Sequence, residues 1–147
     1  MSTCCLFTKM SQHRELVYMD NLKNLSNWRL EKAQRCLRSA QTLFNDEDYS
    51  SSANRSYYCV FHCMRSVLAL QGVDFKKHSA VIAYFRENYI KTGIFEKNLS
   101  DILSKLFTIR TESDYDDFYL IDKQEIIVQL ENAKYFYDKI KDYLDNN

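Results

Sequence analysis

The chain has 147 residues, no proline, two glycines, 46% apolar side chains and 20 Lys/Arg against 20 Asp/Glu. That length supports one domain with a core of its own. A formal charge of zero excludes a protein drawn as a whole onto nucleic acid or membrane, so any such contact must come from a local patch.

Residues 1–20 show no sustained periodicity and are read as a flexible extension, with 21–147 as the domain. From near Ser26 to Asn45, Leu30, Ala33, Leu37, Ala40 and Phe44 recur at three- and four-residue intervals, the buried stripe of a first helix. Asn45-Asp46-Glu47-Asp48 makes an acidic turn. A second helix is predicted from about Ser50 to Gln71, with Ala53, Tyr57, Val60, Phe61, Met64, Val67 and Leu68 inward and Gly72 as the residue that ends it. A third, shorter helix covers about His78 to Tyr89, and a fourth about Phe95 to Thr111 with Leu99, Ile102, Leu103 and Leu106 inward. The run from Ser113 to Tyr119 breaks the pattern and reads as a loop. Asp122 with Glu125 resembles a capping box that opens a last helix with Ile126, Leu130, Ala133, Phe136 or Tyr137, Ile140 and Leu144 inward. Short connections between apolar-faced helices predict an all-α, antiparallel bundle of four to five helices.

The second helix carries the chemistry. Arg55 and His62 are seven residues apart, nearly two turns, so they project along almost one line, opposite the main apolar stripe. Cys59 and Ser66 lie on the same face, flanked by Tyr58 and Arg65. Small residues bordered by long ones form a shallow groove, suited to a phosphate backbone or to a closely packed second helix. Guanidinium gives phosphate a fixed bidentate charge, and imidazole moves protons at cellular pH. Cys59, His62 and Cys63 at i, i+3, i+4 form too small a ligand set for a metal site, and two glycines cannot build a phosphate-binding loop. No metal or cofactor is expected. Five cysteines at no framework spacing, with neither a signal segment nor a long apolar run, point to a reduced, cytoplasmic protein without a membrane span.

The string N-R-S-Y-Y-C-V-F-H at 54–62, followed by D-F-K-K-H-S, Y-I-K-T-G-I-F and S-D-Y-D-D-F-Y, resembles the HEPN family (higher eukaryotes and prokaryotes nucleotide-binding), over roughly Leu22 to Leu144. The resemblance implies a helical bundle, usually a homodimer, often paired with a minimal nucleotidyltransferase. It also implies a metal-independent ribonuclease site in which four to six residues separate an Arg from a His. Arg55 and His62 have six between them and are the catalytic candidates. The family's usual position is in a later helix, where this chain has Arg110 but Tyr115 in place of the histidine and Asp117 in place of a following tyrosine. Asn54, Tyr58, Arg110, Lys77 and His78 are candidates for holding RNA or a nucleotide. Asp114, Tyr115, Asp116 and Tyr119 form a loop that would meet a transferase partner or accept a nucleotide on tyrosine, or would simply lie over the bundle as a lid. The function implied is either RNA cleavage within a toxin-antitoxin-like pair or non-catalytic nucleotide and partner binding.

Overall fold

The computed structural model describes the backbone of residues 2–115 and 122–147, and side chains within 9–113 and 122–147. Its helices are α1 (Ser2–Asn45), α2 (Tyr49–Ala69), α3 (His78–Phe85), α4 (Asn98–Tyr115) and α5 (Lys123–Asp145), with a π-helical turn over Arg86–Ile90 extending α3. Among the described residues there is no strand.

The first helix begins 24 residues before the periodic stripe does. Every described side chain from Lys9 to Asn21 is exposed. Apolar periodicity records burial, and this part of α1 packs against little. Without Pro or Gly to stop it, the helix propagates outward from its packed portion at low cost per residue. Residues 2–20, read from the sequence as a flexible extension, are helical, and the side chains from Lys9 to Asp20 stand outside the core. Similarly, α4 runs through Ser113, Asp114 and Tyr115, where the sequence pattern predicts a loop. Thr111 Oγ1 donates to the Phe107 carbonyl at 2.8 Å, and the Ser113 hydroxyl meets Ser50 of α2 at 2.9 Å, which ties down the extra turn.

The ends of the helices follow local chemistry. Asp48 caps α2 by accepting from the Ser51 amide at 3.2 Å, and Asp122 caps α5 by accepting from Gln124. Gly72 sits at φ +67°, with Val73 N–H bonded to the Leu68 carbonyl at 3.1 Å and Gly72 N–H to Ala69 at 2.9 Å. That is a Schellman closure, the role expected of this glycine. A Cβ at Gly72 would stand 2.9 Å from the Tyr18 hydroxyl of α1, so close approach adds to the conformational demand.

The bundle is organised around α2, whose buried set runs around most of its circumference and includes Ser52, Ser56, Cys59, Cys63 and Ser66. These small residues at three- and four-residue spacing face α1, which answers with Ser26, Ala33 and Ala40, seven apart and at most 1% exposed. The pairing is antiparallel: Ser52 Oγ donates to the Ala40 carbonyl at 2.8 Å, Arg29 Nη1 donates to the Arg65 carbonyl at 3.0 Å, and Gly72 lies against Leu22. The groove foreseen on α2 is thus largely filled by its own chain. Phe85, Leu99, Leu103, Leu106, Phe136 and Ile140 complete the core from the other side. Because this seam has no room for longer side chains, Ala33→Leu is expected to lower stability by about 1–3 kcal/mol through overpacking. Urea denaturation would read this as a reduced midpoint; a wild-type midpoint would contradict the close seam.

Candidate functional site

Candidate site side chains gather where α2, the start of α3 and α4 meet. Tyr57, Tyr58, Phe61 and His62 occupy two successive turns of α2. Tyr57 is 1% exposed, and burial pushes its phenol up to about 12, so it stays protonated. Its hydroxyl meets His78 Nδ1 at 3.0 Å. The His78 ring also stacks on Phe61 at 3.9 Å between centroids and stands edge-on to Tyr58 at 5.8 Å. Arg110 of α4 donates from Nη2 to the Tyr58 hydroxyl at 3.3 Å, and its guanidinium lies 5.3 Å and 5.7 Å from the Tyr57 and Tyr58 ring centres. Tyr58 thereby touches three cationic or titratable groups at once, since His62 is its neighbour one turn on, at 6.1 Å between rings.

Behind this group sits an ion cluster. Asp74, in the segment between α2 and α3, receives two bonds from Arg65, at 3.2 Å and 2.7 Å, and one from Arg29 at 3.0 Å. Burial alone would raise the Asp74 carboxyl, but the Arg65 hydrogen bonds and the two guanidinium charges hold it below the usual range. Two cations against one anion leave local positive charge. His62 accordingly falls to about 4, first through burial and then through Lys32, Arg65 and Arg29. His78 is lowered for the same kinds of reason, burial followed by Arg110 and Arg65. The Nδ1 of His62 is enclosed with no hydrogen-bond partner. A pocket of about 290 Å³ lined by Phe61, Arg65, Asp74, Phe75, Lys76 and His78 opens this region to solvent.

The residues singled out in the sequence divide between two places. Tyr58, His62, His78 and Arg110 come together. Arg55 does not join them: it is exposed and lines a shallow pocket with Arg35 and Arg38 of α1. Asn54 is half-buried on α2 beside Arg55, and Lys77 is exposed at the start of α3. The side chains of Asp114 and Tyr115, and the whole of Asp116 and Tyr119, lie outside the described residues. Sequence reasoning passed over Asp74, Arg29 and the Tyr57–His78 bond. The signal available was the D-F-K-K-H-S string itself, which carries both Asp74 and His78. Among the described residues no three His, Cys, Asp or Glu side chains converge as a metal-binding set, and no helix is long and apolar enough to cross a membrane.

The model of the HEPN domain matches residues 26–143, almost all of the packed bundle. The chain belongs to the HEPN family. Its relatives include a candidate toxin of Methanocaldococcus jannaschii, MJ0142, 32% identical over 130 residues that cover 88% of this chain and 86% of that one. A UPF0332 protein of Thermotoga maritima is 30% identical over 84% of this chain and 93% of its own. A second M. jannaschii candidate toxin, MJ0605, is 30% identical over 76% and 83%. Among solved structures, TT1696 from Thermus thermophilus superposes with a TM-score of 0.67 at 17% identity, covering 80% of this chain and 96% of that one, which shows a shared helical fold.

The depressed histidines make the HEPN bundle sensitive to acid. A histidine of folded pKa near 4 and unfolded pKa near 6.5 is stabilising when neutral. That contribution is complete above pH ~6.5 and is lost as pH falls through about 4, because the unfolded chain binds the proton first. His62→Gln is expected to flatten the fall in urea midpoint between pH 6.5 and 4. An unchanged slope would mean that His62 is not among its sources.

Proposed function

We propose that this HEPN protein binds RNA and cleaves it without a metal, as the effector of a toxin-type pair, at the group formed by Arg110, Tyr58, His78 and His62. The observation that carries the reading is the convergence of Arg110 and both histidines on Tyr58, from three separate helices. The names of the two M. jannaschii relatives support the toxin setting.

Each group has a task on this reading. Arg110 holds a non-bridging phosphate oxygen with a charge that does not titrate. In this role the Nδ1–H of His78 donates to the Tyr57 oxygen, which leaves the lone pair of Nε2 free to meet substrate. With its proton affinity lowered, His78 is neutral at cellular pH and ready as a general base. It takes the proton of a 2′-hydroxyl, the 2′-oxygen bonds to phosphorus, and the bond to the 5′-oxygen breaks, with water supplying that oxygen's proton. The products are a 2′,3′-cyclic phosphate and a 5′-hydroxyl. His62, at about 4, has no proton to give at neutral pH and serves as a second neutral imidazole beside Tyr58. In the pairing with Arg55 that the helical spacing predicts, His62 would act alone with an exposed guanidinium that lies with Arg35 and Arg38 instead. A homodimer, a nucleotidyltransferase-type partner and a cytoplasmic setting belong to the same proposal and rest on the family resemblance.

A second reading has its own observation in support: both histidines are held toward the neutral form, and the group offers no imidazolium as a proton donor. The same pocket would then bind a nucleotide or RNA end without cleaving it, in the service of a transferase. Incubating the purified chain with single-stranded RNA in EDTA separates the two. Cleavage is expected to leave cyclic phosphate ends and to fall by about 10²–10⁴ in His78→Ala, with Arg110→Ala comparably impaired. Binding without cyclic ends in the wild-type chain would favour the non-catalytic reading; activity unaffected by His78→Ala would remove the assigned base.

A further inference from the structure

The neutral total charge hides a strong partition. Together α1 and α2 hold nine of the 20 Lys/Arg and only three of the 20 Asp/Glu. From Ser26 onward the imbalance sharpens, since Arg29, Lys32, Arg35, Arg38, Arg55 and Arg65 face a single carboxylate on these two helices, Glu31. Glu31 reaches Arg35 only at 3.8 Å, with both side chains more than half exposed, a contact of little energetic weight.

Four of these cations form a row outside the site already described. Trp28, Lys32, Arg35, Ser39 and Thr42 recur at three- and four-residue intervals and so share one face of α1. The row extends over roughly 15 Å from Lys32 to Thr42 at 1.5 Å per residue. Arg38 and Arg55 join it across the seam with α2, where Arg35, Arg38, Ser39, Thr42, Leu43 and Arg55 line a shallow depression of about 590 Å³. Trp28, 51% exposed, has the Arg35 guanidinium 5.2 Å from its ring centre. At its other edge the row reaches the candidate site, because Arg29, three residues before Lys32 on α1, bonds the Arg65 carbonyl of α2 and Asp74 beside it.

We propose that this row is a track for the backbone of single-stranded RNA, with Trp28 as a stacking platform and Lys32 as the step that leads the strand toward Tyr58. The combination of regularly spaced cations, hydroxyls and one exposed aromatic fits a strand that presents phosphates and bases in alternation. An acidic protein surface would use the charges but leaves the exposed indole without a role. The track rests on the RNA reading above and names how that substrate reaches the site.

The experiment uses the full chain carrying His78→Ala, so that RNA survives, with a 5′-fluorescein single-stranded RNA of about 20 nucleotides titrated at several KCl concentrations. Adding Arg35→Glu/Arg38→Glu is expected to weaken binding about tenfold or more and to reduce the salt slope by about 1.4, near 0.7 for each lost phosphate contact. Adding Trp28→Ala is expected to weaken binding by a similar factor with the salt slope unchanged. Lys123→Glu/Lys134→Glu on α5, of the same charge change, is expected to leave both quantities unaltered. Far-ultraviolet circular dichroism confirms that each variant keeps its helices. If the α1 reversal leaves affinity and slope intact, or acts no more than the α5 reversal, the track is wrong and the row serves another partner such as an acidic protein. Cleavage by the otherwise wild-type chain is scored separately. Track variants that lose binding, in a protein that never yields cyclic ends, would keep the track and overturn cleavage; cleavage retained alongside unaltered binding would do the reverse. No RNA binding by the wild-type chain overturns both.

Discussion

The close seam between α1 and α2 is the constraint on which the rest of the structure depends. Serine, alanine and cysteine side chains on both helices let the backbones approach until Ser52 reaches a main-chain carbonyl of α1 and Arg29 reaches one of α2. These two bonds fix register as well as distance, while the Ser26 and Ser56 hydroxyls, enclosed in the same seam, have no hydrogen-bond partner. Because α1 covers one side of α2 so tightly, the large apolar residues of α2 are directed to the other side, where α4 and α5 meet them. The aromatic and basic residues at the boundary between those two sides, Tyr58, His62 and Arg65, are left half-buried. Half-burial suits this chemistry: it shifts a histidine without sealing it away.

The same seam concentrates charge. With its small residues turned to α2, α1 can carry long cations only at the margins, and Arg29 and Lys32 emerge there against Arg65 and His62. Asp74 balances part of this and in doing so anchors the segment that delivers His78 to Phe61 and Tyr57. One carboxylate therefore sets both the position and the electrostatic surroundings of the site. Removing its charge would leave two guanidiniums facing each other with one of them 9% exposed, which is why the triad is better understood as a structural unit than as a surface salt bridge.

Much of the fold was legible because burial writes itself into spacing. Val60, Met64, Val67 and Leu68, Leu99 and Leu103, and Ile126 and Ile140 all fall where the periodicity placed them, and Gly72 ends α2 as a left-handed residue. What spacing could not convey was helix without burial, as in residues 9–21, and helix continued by tertiary contact, as at Ser113. The site was legible only in part. A helical wheel aligns Arg55 with His62, but it cannot tell that α1 will lie along that line and set Arg55 beside Arg35 and Arg38. Nor can it show that His78 and Arg110, 21 and 52 residues from their tyrosine partners, will close on α2 from other helices. Those contacts depend on how α3 and α4 cross α2, which no local pattern encodes.

On the reading proposed, the cations do two jobs that reinforce each other. Without substrate, burial lowers the proton affinity of both imidazoles, and Lys32, Arg65 and Arg29 at His62 and Arg110 and Arg65 at His78 lower it further, so they stay neutral. An RNA phosphate seated against Arg110 would cancel part of that positive field, and a nearby anion favours the charged form of a histidine. The proton affinity of His78 would then rise at the moment it must accept the 2′-hydroxyl proton, and the imidazolium formed would sit beside the phosphate that stabilises it. A base kept neutral by burial and, in part, by the residue that binds the substrate is available when empty and strengthened when occupied. Arg55, exposed beside Arg35 and Arg38 at the edge of the seam, is not placed to produce that coupling at His78, whereas Arg110, against both tyrosines that touch the ring, is.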